Sequence, residues 1–395
     1  MTWGIRLCGW WRLIDFTMHI GFHYTSALRQ QGGIGRYTRE LINTLAILDT
    51  KNRYTLLVSK DSPLDKLPTL PDNFQVKVMP LTEKIMTILW HRLYLPLWVD
   101  VGGGAYDIFH SPNFILPPLY NTCGLLTVHD LSFMKYPHKT VPKLQKWLSK
   151  TVPHSIKRAT HVLADSMSTK NDLETMLNVP SKKISVVGAG VESRFKPIID
   201  THILNHVRQK YNLPTKFILG LSTLEPRKNF EGLIQAFNHV EPFFSDMHLV
   251  IAGGKGWLYE SIFAEAESSS VSDKIHIIGF VDDDDLPAIY SMAEVFAYPS
   301  YYEGFGIPVL ESMACGTPVV AADNSSLPEV MGEAGIMVPA TDITALAVAI
   351  KELCCDHALR ERYIQRGFEQ ASKFTWGKTA DILLNVYSMI STVKQ

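Results

Sequence analysis

The stretch Glu303-Gly304-Phe305-Gly306-Ile307-Pro308-Val309-Leu310-Glu311 sets two carboxylates eight positions apart around a Gly-Phe-Gly turn and a proline. Just before it, Val295-Phe296-Ala297-Tyr298 is a short apolar run stopping at Pro299-Ser300, the pattern of a strand. Just after it, Pro308 suits the first turn of a helix, and Cys315-Gly316-Thr317-Pro318 reads as that helix's stop. Val319-Val320-Ala321-Ala322 is then the next strand. This order predicts strand, glycine turn, helix, strand, with Glu303 in the turn and Glu311 near the helix start. The amides of Gly304, Phe305 and Gly306 are placed to face an anion, since a helix N-terminus offers unpaired N–H groups and the positive end of a dipole. Carboxylates beside a bound phosphate would repel it, so the two glutamates are read as gripping hydroxyls of a sugar and a ribose.

The same alternation runs along the whole chain. Strand-like runs fall at 19–23, 54–58, 107–110, 125–128 and 161–164, and again at 217–221, 248–252, 275–278, 295–298 and 319–322. A helix over 36–48 puts Tyr37, Leu41, Leu45 and Leu48 on one face, and helical stretches are expected at 201–211 and 376–390. Strands alternating with helices predict two parallel, doubly wound α/β units, joined near Phe195-Lys196-Pro197. The domains expected are 18–197, 198–375 and a closing helical segment 376–395.

A chain of 395 residues is long enough for two such units. With 38 Lys plus Arg against 39 Asp plus Glu, it offers no global charge for nucleic acid. Five cysteines without metal-like spacing point to a reduced cytosol. Residues 1–17, with Trp3, Trp10 and Trp11 among Arg6, Arg12 and Asp15, lack a continuous apolar core and a small-residue cleavage site. They are read as upstream read-through or a loose tail before a natural start at Met18, with a short interfacial anchor as the alternative.

Glu303-Gly-Phe-Gly-x-x-x-x-Glu311 followed by Cys315-Gly-Thr-Pro-Val-Val320 resembles the retaining glycosyltransferases of family 4, the group 1 family with the GT-B fold. The resemblance runs from about residue 18 to the C-terminus. It implies two Rossmann-like domains facing across a cleft, with the final helix crossing back to the first domain. It also implies transfer of a hexose from a nucleotide sugar to an acceptor hydroxyl with retention at the anomeric carbon. No metal and no cofactor are expected beyond the nucleotide sugar itself as co-substrate.

Doubly wound sheets bind ligands at the carboxyl ends of their strands, and the polar residues of interest sit there. Gln31-Gly32-Gly33-Ile34-Gly35 follows the first strand and opens a helix. By itself it is a plain turn as readily as a site; the resemblance makes Gly32 and Gly33 the loop facing the donor diphosphate. His129 closes the strand Leu125–Val128, where a structural histidine is the commoner reading on bare sequence. The resemblance makes it the active-site histidine that hydrogen-bonds the donor sugar, with Asp130 orienting it or contacting acceptor. His110, at another strand end, is read as structural. Arg227 and Lys228 follow the strand Phe217–Leu221; as bare residues they suit solvated surface, and by resemblance they clamp the diphosphate. Cations fixed there stabilise charge building on the leaving group without reorganisation. Many members of the family carry a further arginine six residues before the lysine, where this chain has Ser222, which shifts the clamp onto Arg227.

Gly253-Gly254 resembles another ligand-side loop, and Ile277–Val281, including Phe280, the segment whose backbone reads the nucleobase. By the same resemblance Glu311 binds ribose hydroxyls and Glu303 the sugar near the reacting centre; helix capping is the plain alternative for Glu303. Asp282–Asp285 formally contains Asp-x-Asp, a metal signature of another glycosyltransferase fold, but is read as an acidic helix cap.

The acceptor leaves one trace. Between Leu131 and Ala164 there is no acidic residue, against Lys135, Lys139, Lys143, Lys146, Lys150, Lys157 and Arg158; Ile85 to Val99 is rich in bulky apolar side chains. A charge run is usually a solvated face. In a neutral protein, a basic aromatic patch also suits an anionic membrane surface and a lipid-linked acceptor. The expectation is thus a cytoplasmic enzyme, peripheral on the inner face of a membrane. Leu224-Glu225-Pro226-Arg227-Lys228-Asn229 resembles mannosyltransferases of polysaccharide assembly that use GDP-mannose. UDP-glucose and UDP-N-acetylglucosamine remain alternatives, as do a sugar-nucleotide 2-epimerase and a non-catalytic nucleotide-sugar binder. With no well-placed protein nucleophile, retention is expected through a short-lived ion pair in which a leaving phosphate oxygen accepts the acceptor proton.

Overall fold

The computed structural model describes residues 18–30, 32–101 and 105–392. The readings of residues 1–17 and of Gln31 lie outside them. Strands β1 (His19–His23), β2 (Arg53–Val58), β3 (Phe74–Val78), β4 (Ile108–Ser111), β5 (Cys123–Val128), β6 (His161–Ala164) and β7 (Ile184–Val186) form a seven-stranded sheet in the order 3-2-1-4-5-6-7. Strands β8 (Lys216–Leu221), β9 (Met247–Ala252), β10 (Ile275–Gly279), β11 (Val295–Tyr298), β12 (Val319–Ala322) and β13 (Ile336–Val338) form a six-stranded sheet in the order 10-9-8-11-12-13. Neighbouring strands in both sheets run parallel. Each order reverses between its first strand and the strand that follows on the other side, β1 to β4 and β8 to β11. Such a reversal opens a crevice at the strand carboxyl ends.

Strands absent from the sequence reading are β3, β7 and β13. β3 interleaves Gln75 and Lys77 with its apolar residues and lies at a sheet edge, and β7 and β13 are three residues long, also at edges. Edge strands bury less and so carry weaker apolar patterning. The central strands β5, β8, β9, β11 and β12 are almost wholly buried, which is why their apolar runs are continuous.

The Gly33–Leu48 helix turns Tyr37, Leu41, Ile42 and Leu45 into the core of the first unit. The last helix, Trp376–Ser391, packs against it, and its Tyr387 hydroxyl lies 2.9 Å from Nδ1 of buried His110. His110 Nε2 bonds Thr127 at 2.9 Å, so this histidine ties β4 to β5 and to the final helix, a structural arrangement. Among the described residues no helix is long and apolar enough to cross a membrane.

Candidate active site

A cavity of about 670 Å³ lies between the two units at the carboxyl ends of their strands. Gly32, Gly33, Arg36, Tyr37, His129 and Asp130 line its first-domain wall. Arg227, Lys228, Gly253, Phe280, Glu303, Gly304, Phe305, Gly306 and Glu311 line the facing wall. The thirteen site residues expected from the sequence therefore share one cavity, with Ser222 and Gly254 beside them.

The 299–306 turn is built by close approach and side-chain ties. Gly306 has φ +111 and caps the Ile307–Ala314 helix, whose first turn contains Pro308. A Cβ at Gly304 would lie 2.3 Å from the His129 carbonyl oxygen, so only glycine lets the two domains touch here. The Ser326 hydroxyl donates to the carbonyls of Glu303 (3.0 Å) and Phe305 (2.7 Å), and the Glu303 amide donates to Ser325 Oγ at 2.9 Å.

Glu303 is held by charge. Lys228 Nζ donates to its two oxygens at 2.7 and 2.9 Å and to the Tyr298 hydroxyl at 3.1 Å. Arg227 Nη1 reaches Glu303 at 3.1 Å and the Tyr302 carbonyl at 2.5 Å, while Nη2 reaches Glu225 at 2.6 Å. Burial alone would raise the Glu303 carboxyl, but the Lys228 and Arg227 charges outweigh it and pull it down to about 2. Burial, then the Arg227 charge, lowers the Lys228 ammonium in spite of Glu303. Glu303 thus caps no helix. The two cations read as a diphosphate clamp are paired with the very carboxylate read as a sugar ligand. A ligand bearing both diphosphate and hydroxyls would exchange those partners: phosphate for the cations, hydroxyls for the carboxylate.

His129 immediately follows β5 and is 7% exposed. Its Nδ1 lies 2.7 Å from Asp165 Oδ2 and its Nε2 2.8 Å from the Pro112 carbonyl. Asp165, just past β6, is therefore the residue that orients the ring; Asp130 instead accepts from the Ser132 amide at 2.8 Å and leaves its side chain at the cavity wall. Burial opposes protonation of His129, and the Asp165 charge and hydrogen bond overturn that and raise it. With both nitrogens held inside its own domain, the imidazole donates to a sugar only by releasing one of them.

On the second domain, Glu311 receives the Tyr290 hydroxyl at 3.0 Å and pairs with Arg36 from across the cleft. Asp282, Asp283, Asp284 and Asp285 do not cap the Leu286–Met292 helix with their side chains: Asp285, at the cap position, makes no such bond. They pair instead with cations, Asp282 and Asp285 with Lys210, Asp284 with Arg194 and Asp283 with Arg39.

Arg36, Asp165 and Tyr290 complete the site and were not singled out in the sequence. The signal for Asp165 is its position: a carboxylate directly after β6, the strand beside β5, which His129 directly follows. Arg36 and Tyr290 carry no such signal.

Residues 205–370 match the family described as glycosyl transferases group 1, and residues 31–195 match glycosyltransferase family 4. Among curated proteins, the chain is 31% identical over 371 residues to an O-antigen chain mannosyltransferase B of Escherichia coli, covering 91% of this chain and 96% of that one. It is 28% identical over 275 residues to an O-antigen chain mannosyltransferase of Salmonella typhimurium, covering 69% and 72%. Among solved structures, sucrose-phosphate synthase from Thermosynechococcus elongatus superposes with a TM-score of 0.76 at 21% identity, covering 95% of this chain and 100% of that one. The two switch-point sheets, the cavity between their strand ends and these matches together place the chain in the group 1 glycosyltransferases, transferases acting on a sugar, with the GT-B fold.

Proposed function

We propose that this enzyme transfers a hexose, mannose from GDP-mannose, to a hydroxyl of a glycan or lipid-linked acceptor in polysaccharide assembly, with retention. The observation that carries the reading is the cavity wall on which Lys228 and Arg227 meet Glu303 beside the Gly306 helix start, with Glu311 one turn further on. In this reading the diphosphate takes the two cations and the helix-start amides from Gly304 to Gly306, with the Gly32-Gly33 loop opposite. Sugar hydroxyls take Glu303, ribose hydroxyls take Glu311, and the Ile277–Val281 backbone with Gly253 frames the base.

Glu303 is a poor nucleophile, because both its oxygens are held by cations and its carboxyl is pulled down to about 2. That supports an ion pair, in which the bond from sugar to phosphate breaks first. The leaving phosphate oxygen then takes the acceptor proton as the acceptor oxygen attacks from the same face. Closure of the cleft keeps water from the cation. The mannose donor rests on the named relatives and on the Leu224–Asn229 stretch. No metal enters the scheme, since lysine, arginine and helix amides supply the positive charge.

The test is a melting screen against GDP, UDP, ADP, dTDP, GDP-mannose, UDP-glucose and UDP-N-acetylglucosamine. Guanine nucleotides are expected to raise the melting point, by about 2.7 kcal/mol of stability at a hundredfold excess over the dissociation constant. Product analysis with an acceptor then reads the anomeric configuration. A response to uracil nucleotides alone would replace the donor, and silence across the panel would overturn the nucleotide-sugar reading.

A lipid-linked acceptor is favoured by one surface. Leu93, Tyr94, Leu95, Leu97 and Trp98 are exposed in one run, beside the Pro142–Arg158 helix, whose Lys143, Lys146 and Lys150 are also exposed. Lys150 Nζ sits 5.4 Å from the Tyr94 ring centroid, which joins the two patches. Apolar side chains flanked by lysines suit the inner, anionic face of a membrane. Liposome co-sedimentation is expected to favour anionic vesicles; equal recovery with neutral ones would remove the electrostatic part.

A further inference from the structure

Arg36 stands in the first turn of the Gly33–Leu48 helix and spans the cleft. Its Nε donates to Glu192 at 2.7 Å, its Nη2 pairs with Glu311 Oε1, and its guanidinium lies 4.9 Å from the Phe195 ring centroid. Glu192 is gripped from its other side by Arg194 at 2.7 and 3.1 Å. The fork is thus fixed between the chain segment that joins the domains and the second domain's carboxylate, a pre-organised arrangement that lysine cannot reproduce.

Glu311 is 1% exposed and lines the cavity. Its Oε2 accepts from Tyr290, whereas Oε1 touches Arg36 but makes no well-aligned hydrogen bond, so a lone pair there stays open. A carboxyl this deep tends to hold its proton: burial raises it, and Arg36 is the largest opposing influence. The other charged or titratable groups facing it are Glu192 from the joining segment, Tyr290 from the helix before β11 and Cys315 at the end of its own helix. Of all these, Arg36 alone is a cation.

We propose that Arg36 is a positioning residue for the donor: from across the cleft its fork, held by Glu192 and Phe195, pairs with Glu311 and aims it, so the ribose subsite of the second domain is complete only when the first domain has closed on it. The inference rests on the reading of Glu311 as the ribose ligand. Its consequence is that recognition of the nucleoside end and closure of the cleft are one event. An open molecule would lack that cross-cleft partner, and Glu311 would be less firmly aimed at a ribose hydroxyl, whose hydrogen bond to a carboxylate is charge-assisted.

The test compares GDP with 2′,3′-dideoxy-GDP, and UDP with its dideoxy form, by calorimetry on the full chain at pH 7.5. The parent is expected to prefer the ribonucleotide by about tenfold or more, the value of a hydrogen bond to a charged group. Arg36→Gln is expected to lose that preference, to within about threefold, mainly through weaker binding of the ribonucleotide. Arg36→Lys, a charge without the fork, is expected to keep an intermediate preference. An Arg36→Gln protein that melts cooperatively and discriminates as the parent does would overturn the proposal. Should the glutamine variant not fold, the lysine variant decides, and a preference equal to the parent's would overturn positioning by the fork. If the parent binds ribo- and dideoxynucleotides equally, the ribose reading of Glu311 fails, and the proposal with it. If it binds neither, the donor reading itself fails.

Discussion

Lys228 Nζ lies within 2.7 and 2.9 Å of the two oxygens of Glu303, and both side chains are more than nine-tenths buried. Two charges taken out of water hold each other; removing Glu303 leaves Lys228 without a carboxylate, and removing Lys228 leaves Glu303 with Arg227 as its cation. Lys228→Ala is therefore expected to cost about 1–3 kcal/mol of stability, measured as the loss in urea midpoint multiplied by the slope. The double variant Lys228→Met with Glu303→Gln is expected to cost clearly less than the two single changes added together, because neither change then leaves an uncompensated charge. Both should lower transfer by about a hundredfold or more if, as proposed, Lys228 is a fixed cation for the leaving group. Additive stability losses would show that the pair is not coupled.

The same pair sets an acid limb. The folded Glu303 carboxyl is held near 2, below its ordinary 4.5. A depressed carboxyl contributes stability above the ordinary value, and that contribution is lost as pH falls through 4.5 towards 2. Urea midpoints of the parent are expected to drop through this window, and the drop should be shallower in Glu303→Gln, which has no proton to bind there. Identical slopes would mean that other carboxylates carry the acid limb.

Gly304 predicts an effect on the cleft rather than on either domain. A methyl group at this position would meet the His129 carbonyl oxygen at 2.3 Å, and the atom in the way is backbone. Gly304→Ala is expected to hold the domains apart here, raising the radius of gyration in small-angle scattering. Transfer should fall by about tenfold or more, because closure completes the site. Binding of nucleoside diphosphate alone should change less than transfer. Unchanged scattering and unchanged turnover would show that the interface yields without cost.

What was legible in the sequence divides along range of contact. Val295–Tyr298, Val319–Ala322 and the turn between them could be read because their signals are local: apolar runs, glycine, and proline in a helix's first turn. His129, Lys228 and Glu303 could be placed because each follows a strand, and strand ends converge in a doubly wound sheet. Partnership was not legible. Nothing near Arg36 announces Glu192 and Glu311, which lie 156 and 275 positions further on. His129 has an aspartate next to it in sequence, Asp130, yet pairs with Asp165, because β5 and β6 run side by side and set their ends together. The Asp282–Asp285 run looked like a cap because caps are local; its partners Lys210 and Arg194 belong to other segments.

Asp165 and His129 give the last prediction. The His129 ring is buried, and without its carboxylate partner burial would lower its affinity for a proton; the Asp165 charge reverses the direction. A histidine raised in the folded state contributes stability that is fully present below its ordinary value of 6.5 and is lost as pH rises through the folded value. Asp165→Asn removes that contribution, so the variant's stability deficit should be largest near pH 6 and shrink towards alkaline pH. The Pro112 carbonyl still holds Nε2, so the ring stays near its place but loses its charge and its second anchor. Transfer is expected to fall by about tenfold or more, with the alkaline limb of the rate profile moved to lower pH. A variant whose stability deficit and rate profile do not change with pH would show that Asp165 only fills space behind the ring.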